Sequence, residues 1–424
     1  MPSTNSGPAQ TLTPNIVAPQ VAAGSTSVAY DPSNVAIGGG SASNIRLGAG
    51  IVSAAYSHPT LYPSAAAVTP TFATTGPGGV SAISPKSTLA YNSASVNLVG
   101  CVPFYANLLG TDYFQNNAAA VQGSGTTPCA VEFGFYGADF DIIFRNGIGG
   151  ASFFWVWATD PDTGIMRPQT GAPVASTANS ANSQFYYRVT FSSTAERVVR
   201  VYYCGADFGG IDYAATATVF AVPKPARSLC IVSDSYGSGT GATTAMQSWA
   251  VTLGRLLGTE TFVNAVGGTG YVQGSTTNSY LAPTRVAAAI ASGATDFLLA
   301  GSINDSTFTP AQVMAAAASL VSQIQTSLPK ARFWFSGVQM LPVGYNTGNN
   351  VANNSALKTY AASIGAGFID EIGEAWYSGT GFSGTPANNG NRDLFCNTDQ
   401  IHPTQAGHDN KAARTYTRLV QLGF

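Results

Sequence analysis

Four short segments in the second half of the chain carry the residue types that acyl transfer needs. They are Ser233-Asp234-Ser235, Gly267-Gly268, Gly301-Ser302-Ile303-Asn304-Asp305 and Asp399-Gln400-Ile401-His402-Pro403. A serine hydroxyl is a weak nucleophile and needs a base to take its proton. Histidine does this near neutral pH, and a carboxylate fixes the imidazole tautomer and stabilises the imidazolium. The segments therefore indicate a serine nucleophile with a His–Asp base.

The choice of base is narrow because the chain has only three histidines. His58 lies in a low-complexity region and His408 falls inside the last predicted helix, which leaves His402 as the best base for Ser235. Asp399 precedes His402 by three residues, so one turn can present both side chains to the same point. The oxyanion of a tetrahedral intermediate needs N–H donors, which a glycine backbone and an asparagine amide can supply.

The same residues have plainer interpretations, which the sequence leaves open. Ser235 could be an ordinary turn serine, and His402 a core or helix-terminal histidine. Asp234 and Asp305 are expected to be structural carboxylates that bind nearby N–H groups. The glycine-rich run 237–241 lacks the Gly-Lys-Ser/Thr ending of a phosphate-binding loop. Side chains that could either line a substrate cleft or pack in the core are Tyr236, Tyr271, Gln339, Tyr345 and Trp376.

Alternating strands and helices after residue 226 predict the scaffold that positions these segments. Predicted strands cover residues 229–232, 262–266, 297–300, 333–335 and 368–369. Predicted helices cover residues 245–257, 286–290, a segment that begins at the Thr309-Pro310 cap, and the C-terminal segment. Repeated strand–helix units form a parallel sheet with helices on both faces. Functional groups gather at the carboxyl ends of such strands, so we expect the four segments to meet at one edge.

The first half of the chain divides into two regions of different character. Residues 1–90 contain three charged residues and are rich in Ala, Ser, Thr, Gly and Pro. We expect them to form a low-complexity arm for attachment or oligomerisation. Residues 91–222 contain short β-branched and aromatic runs separated by turn residues, which predict a β-sandwich or jelly roll. Pro223-Lys224-Pro225 then separates this domain from a catalytic domain expected over residues 226–424.

Composition excludes several classes of function. Only 18 basic and 20 acidic residues occur among 424, with a net charge of -2, so no nucleic-acid partner is expected. No run reaches the ~20 apolar residues of a membrane span, and residues 1–6 lack the basic start of a standard secretory signal. An uncharged polar surface is common in extracellular and virion proteins. The five cysteines are expected to be buried thiols, with a Cys101–Cys129 disulfide left open.

In their order along the chain, the four segments resemble the motifs of the SGNH (GDSL) hydrolase superfamily. The family pattern is Gly-Asp-Ser, a second-block glycine, Gly-x-Asn-Asp and Asp-x-x-His-Pro. In this chain Ser233 replaces the first glycine, and one residue more separates Gly301 from Asn304. The resemblance covers about residues 226–424 and implies a flavodoxin-like, three-layer α/β fold.

The resemblance also implies the roles of individual residues. Ser235 would be the nucleophile, His402 the base and Asp399 the residue that orients the base. The N–H groups of Ser235 and Gly268 and the side chain of Asn304 would form the oxyanion hole. Gly267 and Gly270 remain alternative registers for the second-block glycine.

The preceding β domain resembles the jelly-roll modules found ahead of SGNH domains in some carbohydrate esterases. Together, these resemblances predict a serine esterase that removes O-acyl groups, most simply O-acetyl, from a polysaccharide or oligosaccharide without a metal or cofactor. A lipolytic esterase, an acetyltransferase and a glycan-binding virion module remain alternatives. The charge-poor arm and surface favour a phage tail fibre or tailspike, bound to a virion protein and trimeric, and hence a virion or extracellular location.

Overall fold

The described part of the chain consists of an antiparallel sheet followed by an α/β part built on a parallel sheet. The structure is a computed structural model. It describes residues 71–73, 86–90, 93–100, 103–108, 111–116, 128–146, 152–162, 164, 166–176, 184–274 and 278–424. Most of the predicted arm, at residues 1–70 and 74–85, lies outside the described residues, as does Cys101.

Within the described residues, twelve strands form the antiparallel sheet. They are β1 Thr71–Ala73, β2 Lys86–Ala90, β3 Asn97–Val99, β4 Pro103–Leu108, β5 Thr111–Asn116, β6 Cys129–Asn146, β7 Phe153–Thr159, β8 Met166–Pro168, β9 Val174–Ala175, β10 Gln184–Cys204, β11 Ala206–Ala214 and β12 Thr218–Phe220. The main path is β4-β5-β11-β6-β10-β7-β8. β1 pairs with β10 and β2 with β11, so the sheet begins before residue 91.

The long strand β6 bends so that both of its halves face one core. The ring centroids of Phe133 and Phe140 lie 5.3 Å apart, although seven residues of straight strand would span about 23 Å. The β6 side chains that belong to this core also change from odd positions (Val131, Phe133, Phe135) to even positions (Phe140, Ile142, Phe144) across the bend. The antiparallel part is therefore a sheet folded over an aromatic core, as predicted for a sandwich.

Five parallel strands form the second sheet, in the order β14-β13-β15-β16-β17. They are β13 Ser228–Ser233, β14 Glu260–Ala265, β15 Asp296–Ala300, β16 Arg332–Ser336 and β17 Gly367–Ile369. The helices around them are α1 Ser235–Ser238, α2 Trp249–Leu257, α3 Pro283–Ala291, α4 Pro310–Ser327, α5 Asn350–Ser363, α6 Arg392–Phe395 and α7 Gln405–Gln421. Short 3₁₀ turns cover Ala245–Gln247 and Ile303–Asp305.

Alternation along β13, an interior strand of the parallel sheet, creates the three layers. Leu229 and Ile231 belong to the core shared with α2 and α7. Cys230 and Val232 belong to the core shared with α3, α4 and α5. Since successive strand residues point to opposite faces, β13 is covered by helices on both sides. The predicted three-layer α/β fold is confirmed.

Most predicted elements of the α/β part are found, but one predicted helix is interrupted and one long helix is absent from the prediction. Helix 245–257 is interrupted, because Ser248 adopts an extended conformation and its side chain accepts the N–H of Val251, which starts α2 at Trp249. Helix α5 was not predicted, because its buried face contains Asn350, Asn353 and Asn354 where a helical pattern would show apolar residues. The Thr309-Pro310 start of α4 is confirmed as a capping box with Gln312.

The two sheets share one hydrophobic cluster. Trp155, Trp157 and Tyr202 of the antiparallel part are buried in the same core as Met246 and Trp249. The Arg255 guanidinium lies 4.9 Å from the Trp155 ring centroid and 5.3 Å from that of Tyr202. Within the described residues, no helix is both long and apolar enough to cross a membrane.

Candidate active site

Ser235 lies at the first turn after β13, an interior strand of the parallel sheet. β13 ends at Ser233, and Asp234 caps α1 by accepting the N–H of Tyr236 at 3.0 Å. A Cβ on Gly237 would meet the Cβ of Ser233 at 2.5 Å, so only glycine lets this short helix follow the strand so closely. The Ser235 side chain is therefore held at the carboxyl edge of the sheet, where it is 9% exposed.

His402 joins Ser235 to Asp399. Its Nε2 lies 2.8 Å from Ser235 Oγ, and its Nδ1 lies 2.6 Å from Asp399 Oδ2. The His402 side chain is 19% exposed and that of Asp399 is 43% exposed. The structure thus brings together the three side chains that the sequence selected, from opposite ends of the α/β part.

A tight turn fixes the Asp–His pair. Asp399 Oδ1 accepts the backbone N–H groups of Ile401 and His402, each at 2.9 Å. Gln400 between them has a φ of +63°, a left-handed conformation that is strained for a side chain of this size. The Tyr236 hydroxyl donates to the carbonyl of Ile401. Tyr236, the residue after Ser235, therefore anchors the turn that carries His402.

The hydrogen bonds to Asp399 favour its ionised form. Partial burial raises the pKa of this carboxyl, but the hydrogen bonds from the His402 ring and from the His402 and Ile401 N–H groups outweigh burial. The net result is a pKa below the ordinary value. Asp399 is therefore a carboxylate at neutral pH and accepts the Nδ1 proton of His402, which leaves Nε2 free to accept the Ser235 proton.

The two other predicted residues lie in loops beside Ser235. Gly268 is exposed, with a φ of +72°, in the turn that follows β14. A Cβ on the adjacent Gly267 would lie 3.7 Å from the Ser235 Cβ, which places this turn next to Ser235. Asn304 Nδ2 donates to the carbonyl of Thr269 at 2.9 Å, so the Asn304 side chain adjoins the same turn.

A buried polar network connects these loops beneath the site. Ser302 Oγ lies 2.8 Å from Asp234 Oδ2 and 2.8 Å from the Thr269 carbonyl oxygen. Gln339 Nε2 donates to the Asp234 carboxylate at 3.4 Å, and its Oε1 accepts the N–H of Ile303 at 3.2 Å. Ser302 and Gln339 were not predicted in this role, because neither belongs to a reactive residue type at a diagnostic spacing.

The carboxylates of Asp234 and Asp305, which flank the site, accept hydrogen bonds from nearby backbone N–H groups. Burial raises the pKa of Asp234, although hydrogen bonds from Tyr236 N–H and the Ser302 hydroxyl act against burial. Asp305 accepts three N–H groups, from Tyr271, Val272 and Gln273, at 2.8 to 3.1 Å. Both side chains are 1% exposed or less, so they hold loops in place, in agreement with the sequence interpretation.

His408 is held in a neutral form, and its ring nitrogens bond to Trp249 and Thr240, not to Ser235. Its Nδ1 accepts the N–H of Trp249 at 3.2 Å, and its Nε2 donates to the Thr240 carbonyl at 3.1 Å. Complete burial lowers its pKa to about 4. Among the predicted cleft residues, Tyr236, Tyr271, Gln339 and Trp376 are buried, while Tyr345 is half-buried.

Comparison with known proteins agrees with this architecture. Residues 234–409 match the model of the GDSL-like Lipase/Acylhydrolase family. No curated protein sequence matches the chain.

Similar solved structures include a family two carbohydrate esterase from Cellvibrio japonicus, with a TM-score of 0.57 and 12% identity over 80% of this chain and 98% of that one. A salicylyl-acyltransferase from a tetracycline biosynthetic pathway has a TM-score of 0.58 and 11% identity, over 80% of this chain and 98% of that one. An acetyl xylan esterase from Butyrivibrio proteoclasticus has a TM-score of 0.54 and 15% identity, over 80% of this chain and 99% of that one. Since residues 226–424 make up less than half of the chain, this coverage extends into the antiparallel sheet.

Proposed function

We propose that the protein is a serine esterase that removes O-acetyl groups from a carbohydrate, on the premise that residues 234–409 match the model of the GDSL-like Lipase/Acylhydrolase family. The observation that carries the proposal is the continuous series of contacts from Ser235 through His402 to Asp399. Ser235 Oγ lies 2.8 Å from His402 Nε2, and His402 Nδ1 lies 2.6 Å from Asp399 Oδ2. These distances are those of hydrogen bonds that a nucleophile, a base and an orienting carboxylate need.

The proposed reaction begins when Ser235 Oγ attacks the carbonyl carbon of the ester. His402 Nε2 takes the hydroxyl proton as the new C–O bond forms, and the negative charge moves to the former carbonyl oxygen. The N–H groups of Ser235 and Gly268 and the Asn304 amide are the proposed donors to that oxyanion. Preorganised donors of this kind contribute about 10²–10³ in rate each.

The tetrahedral intermediate then collapses to an acyl-enzyme. The bond to the sugar oxygen breaks, and His402 returns its proton to that oxygen, so that the sugar leaves as an alcohol. A water molecule next attacks the acyl carbon while His402 takes one of its protons. Breakdown of this second intermediate returns the proton to Ser235 and releases acetic acid.

The exposed groups on one side of Ser235 support access of a carbohydrate and of water. Gly267 and Gly268 are exposed beside Ser235, and Asp399 is 43% exposed. A surface site of this kind leaves room for a sugar chain on the alcohol side and for water. The similar structures include carbohydrate esterases, among them an acetyl xylan esterase, and also an acyltransferase. Water access to the acyl-enzyme favours hydrolysis over transfer.

The test is acetate release from a panel of acetylated polysaccharides, with p-nitrophenyl acetate as a simple ester. We expect Ser235→Ala to lower kcat by at least about 10³-fold while the protein stays folded. Ser327→Ala, which changes an exposed serine at the end of α4, is the matched control and should retain full activity. Wild-type rates in Ser235→Ala would refute the proposal. Acylated oligosaccharide formed in place of free acetate would instead identify a transferase.

A further inference from the structure

A buried arginine lies beneath the loops that carry the proposed oxyanion donors. Arg285, in α3, is 1% exposed. Its Nη2 donates to the carbonyl oxygens of Ser233 at 2.8 Å and Asn264 at 2.7 Å, and its Nε donates to Asn264 Oδ1 at 2.9 Å. Asn264 Nδ2 donates in return to the Arg285 carbonyl at 2.8 Å. The guanidinium thus joins the carboxyl ends of β13 and β14.

The same guanidinium reaches the turn that contains Gly268. Its Nη1 donates to Thr269 Oγ1 at 2.9 Å and to the Asn278 carbonyl at 3.1 Å. Thr269 Oγ1 donates in turn to the Val266 carbonyl at 2.7 Å, which closes the turn around Gly268. The Thr269 carbonyl also accepts a hydrogen bond from Asn304 Nδ2. Thr269 therefore links Arg285 both to the turn that contains Gly268 and to the Asn304 side chain.

The charge of Arg285 is not neutralised by a direct carboxylate partner. Among the ion pairs of the described residues, none includes Arg285. Burial lowers its pKa to about 10, so the side chain stays protonated at neutral pH. A buried cation destabilises a fold unless hydrogen bonds compensate. Here all the acceptors belong to strand ends and loops around Ser235.

We propose that Arg285 is a positioning residue, which holds residues 233–235, residues 266–269 and Asn304 in the arrangement that stabilises the oxyanion. It acts through Thr269 and the strand ends and does not touch the substrate. The proposal rests on the esterase function proposed above and adds the residue that orders the oxyanion site. The planar guanidinium reaches five acceptors at once, which an ammonium group cannot do.

The kinetic test uses the full chain with three variants. We expect Arg285→Met to lower kcat by about 10²-fold and Thr269→Val by about 10-fold, with KM within about threefold of wild type, because the lost interactions act in the transition state. Arg285→Lys keeps the charge but should resemble Arg285→Met.

Arg255→Met is the matched control. Arg255 is also a buried arginine on a helix of this part, but its guanidinium bonds to Met246 and Thr252. It should keep the wild-type kcat.

Amide hydrogen exchange gives a second measurement that does not depend on catalysis. Peptides that cover residues 266–273 should exchange at least about 10-fold faster in Arg285→Met and Thr269→Val, but not in Arg255→Met. Thr269→Val decides both measurements if Arg285→Met does not fold.

The outcomes separate this proposal from the proposed function. An active wild type, an inactive Ser235→Ala and unchanged kcat in Thr269→Val and Arg285→Met would leave the esterase intact and refute the role of Arg285. A rise in KM with unchanged kcat would refute it as well. A wild type that cleaves no ester would refute the esterase, and the exchange rates would then support or refute the positioning role alone.

Discussion

His402 and His408 lie six residues apart and have opposite environments. His402 is partly exposed and faces Ser235 on one side and Asp399 on the other. His408 is fully buried and uses Nδ1 as an acceptor, so it cannot gain a proton without losing the N–H of Trp249. The choice between the two histidines therefore depends on which imidazole can accept a proton from a reactive group.

The low pKa of His408 predicts a pH dependence of stability. Burial first, and then the nearby charges of Lys411 and His402, lower this pKa to about 4, while the Thr240 carbonyl acts in the opposite direction. An unfolded histidine has a pKa of about 6.5, so the unfolded chain binds more protons between pH 4 and 6.5. The free energy of unfolding should therefore fall by about 1 kcal/mol per pH unit as pH decreases through this window.

Urea denaturation of wild type and His408→Asn between pH 4 and 7 measures this effect. Asparagine can accept the Trp249 N–H and donate to Thr240 without titrating. The variant should therefore lose most of the pH dependence in the window. Equal slopes for the two proteins would show that His408 is not the group responsible.

Sequence alone was enough to select the three side chains that lie together at the candidate site, whereas the residues that support them could not be selected in this way. Ser235, Asp399 and His402 are recognisable because acyl transfer restricts residue type, order and spacing. Arg285, Ser302 and Gln339 contribute through hydrogen bonds to backbone groups of other loops. Any polar residue at many positions could make such contacts, so they require coordinates.

At the scale of elements, strands were easier to predict than the helix that supports two loops of the site. α5 buries Asn353 and Asn354 in place of apolar side chains. Asn353 Nδ2 donates to the Asp305 carbonyl at 3.0 Å, next to Asn304. Asn354 Oδ1 accepts the Val338 N–H at 3.0 Å, next to Gln339. The helix is polar on its inner face because it satisfies loop backbone there, and hydrophobic periodicity cannot detect that role.

Asn354→Ala should therefore destabilise the protein. The substitution leaves the Val338 N–H without its acceptor and removes the donor to Asp370 Oδ1, which Asn354 Nδ2 bonds at 3.0 Å. Loss of a buried partner costs about 1–3 kcal/mol. Chemical denaturation should show this loss, while Ser355→Ala, on the exposed face of α5, should change the unfolding free energy by about 0.5 kcal/mol or less. Equal midpoints for the two variants would contradict this role of α5.

At the scale of the whole molecule, about half of the charged residues whose burial the structure describes are buried. The buried charged residues are Glu132, Asp141, Arg145, Arg197, Arg200, Asp207, Asp212, Asp234, Arg255, Arg285, Asp296, Asp305, Asp370, Glu371, Arg392, Asp409, Lys411 and Arg414. The surface of the described part therefore carries even less charge than the composition indicates. A surface of neutral polar groups suits hydrogen bonding to sugar hydroxyls, in line with the proposed substrate.

The virion hypothesis depends on a different part of the chain. Residues 1–90 suggested it through their low charge, and within that range the structure describes only β1 and β2, which pair with the antiparallel sheet. The location and the trimer therefore stay predictions. Sedimentation of the full chain, together with binding to purified virion proteins, addresses both.

The shared cluster between the two sheets predicts that the described parts unfold together. Trp155 is fully buried, packs with Trp157 at a centroid distance of 5.1 Å and lies beside Arg255 of α2. Trp155→Ala should lower the unfolding free energy by about 3–5 kcal/mol, because it opens a cavity in a core that both parts use. Loss of near-ultraviolet circular dichroism and loss of ester hydrolysis should then shift together to lower denaturant concentration.

Tyr136→Ala, at a position of the antiparallel sheet that is 47% exposed, should move neither transition. If Trp155→Ala shifts the dichroism transition and leaves the activity transition in place, the sheets unfold independently and the cluster does not couple them.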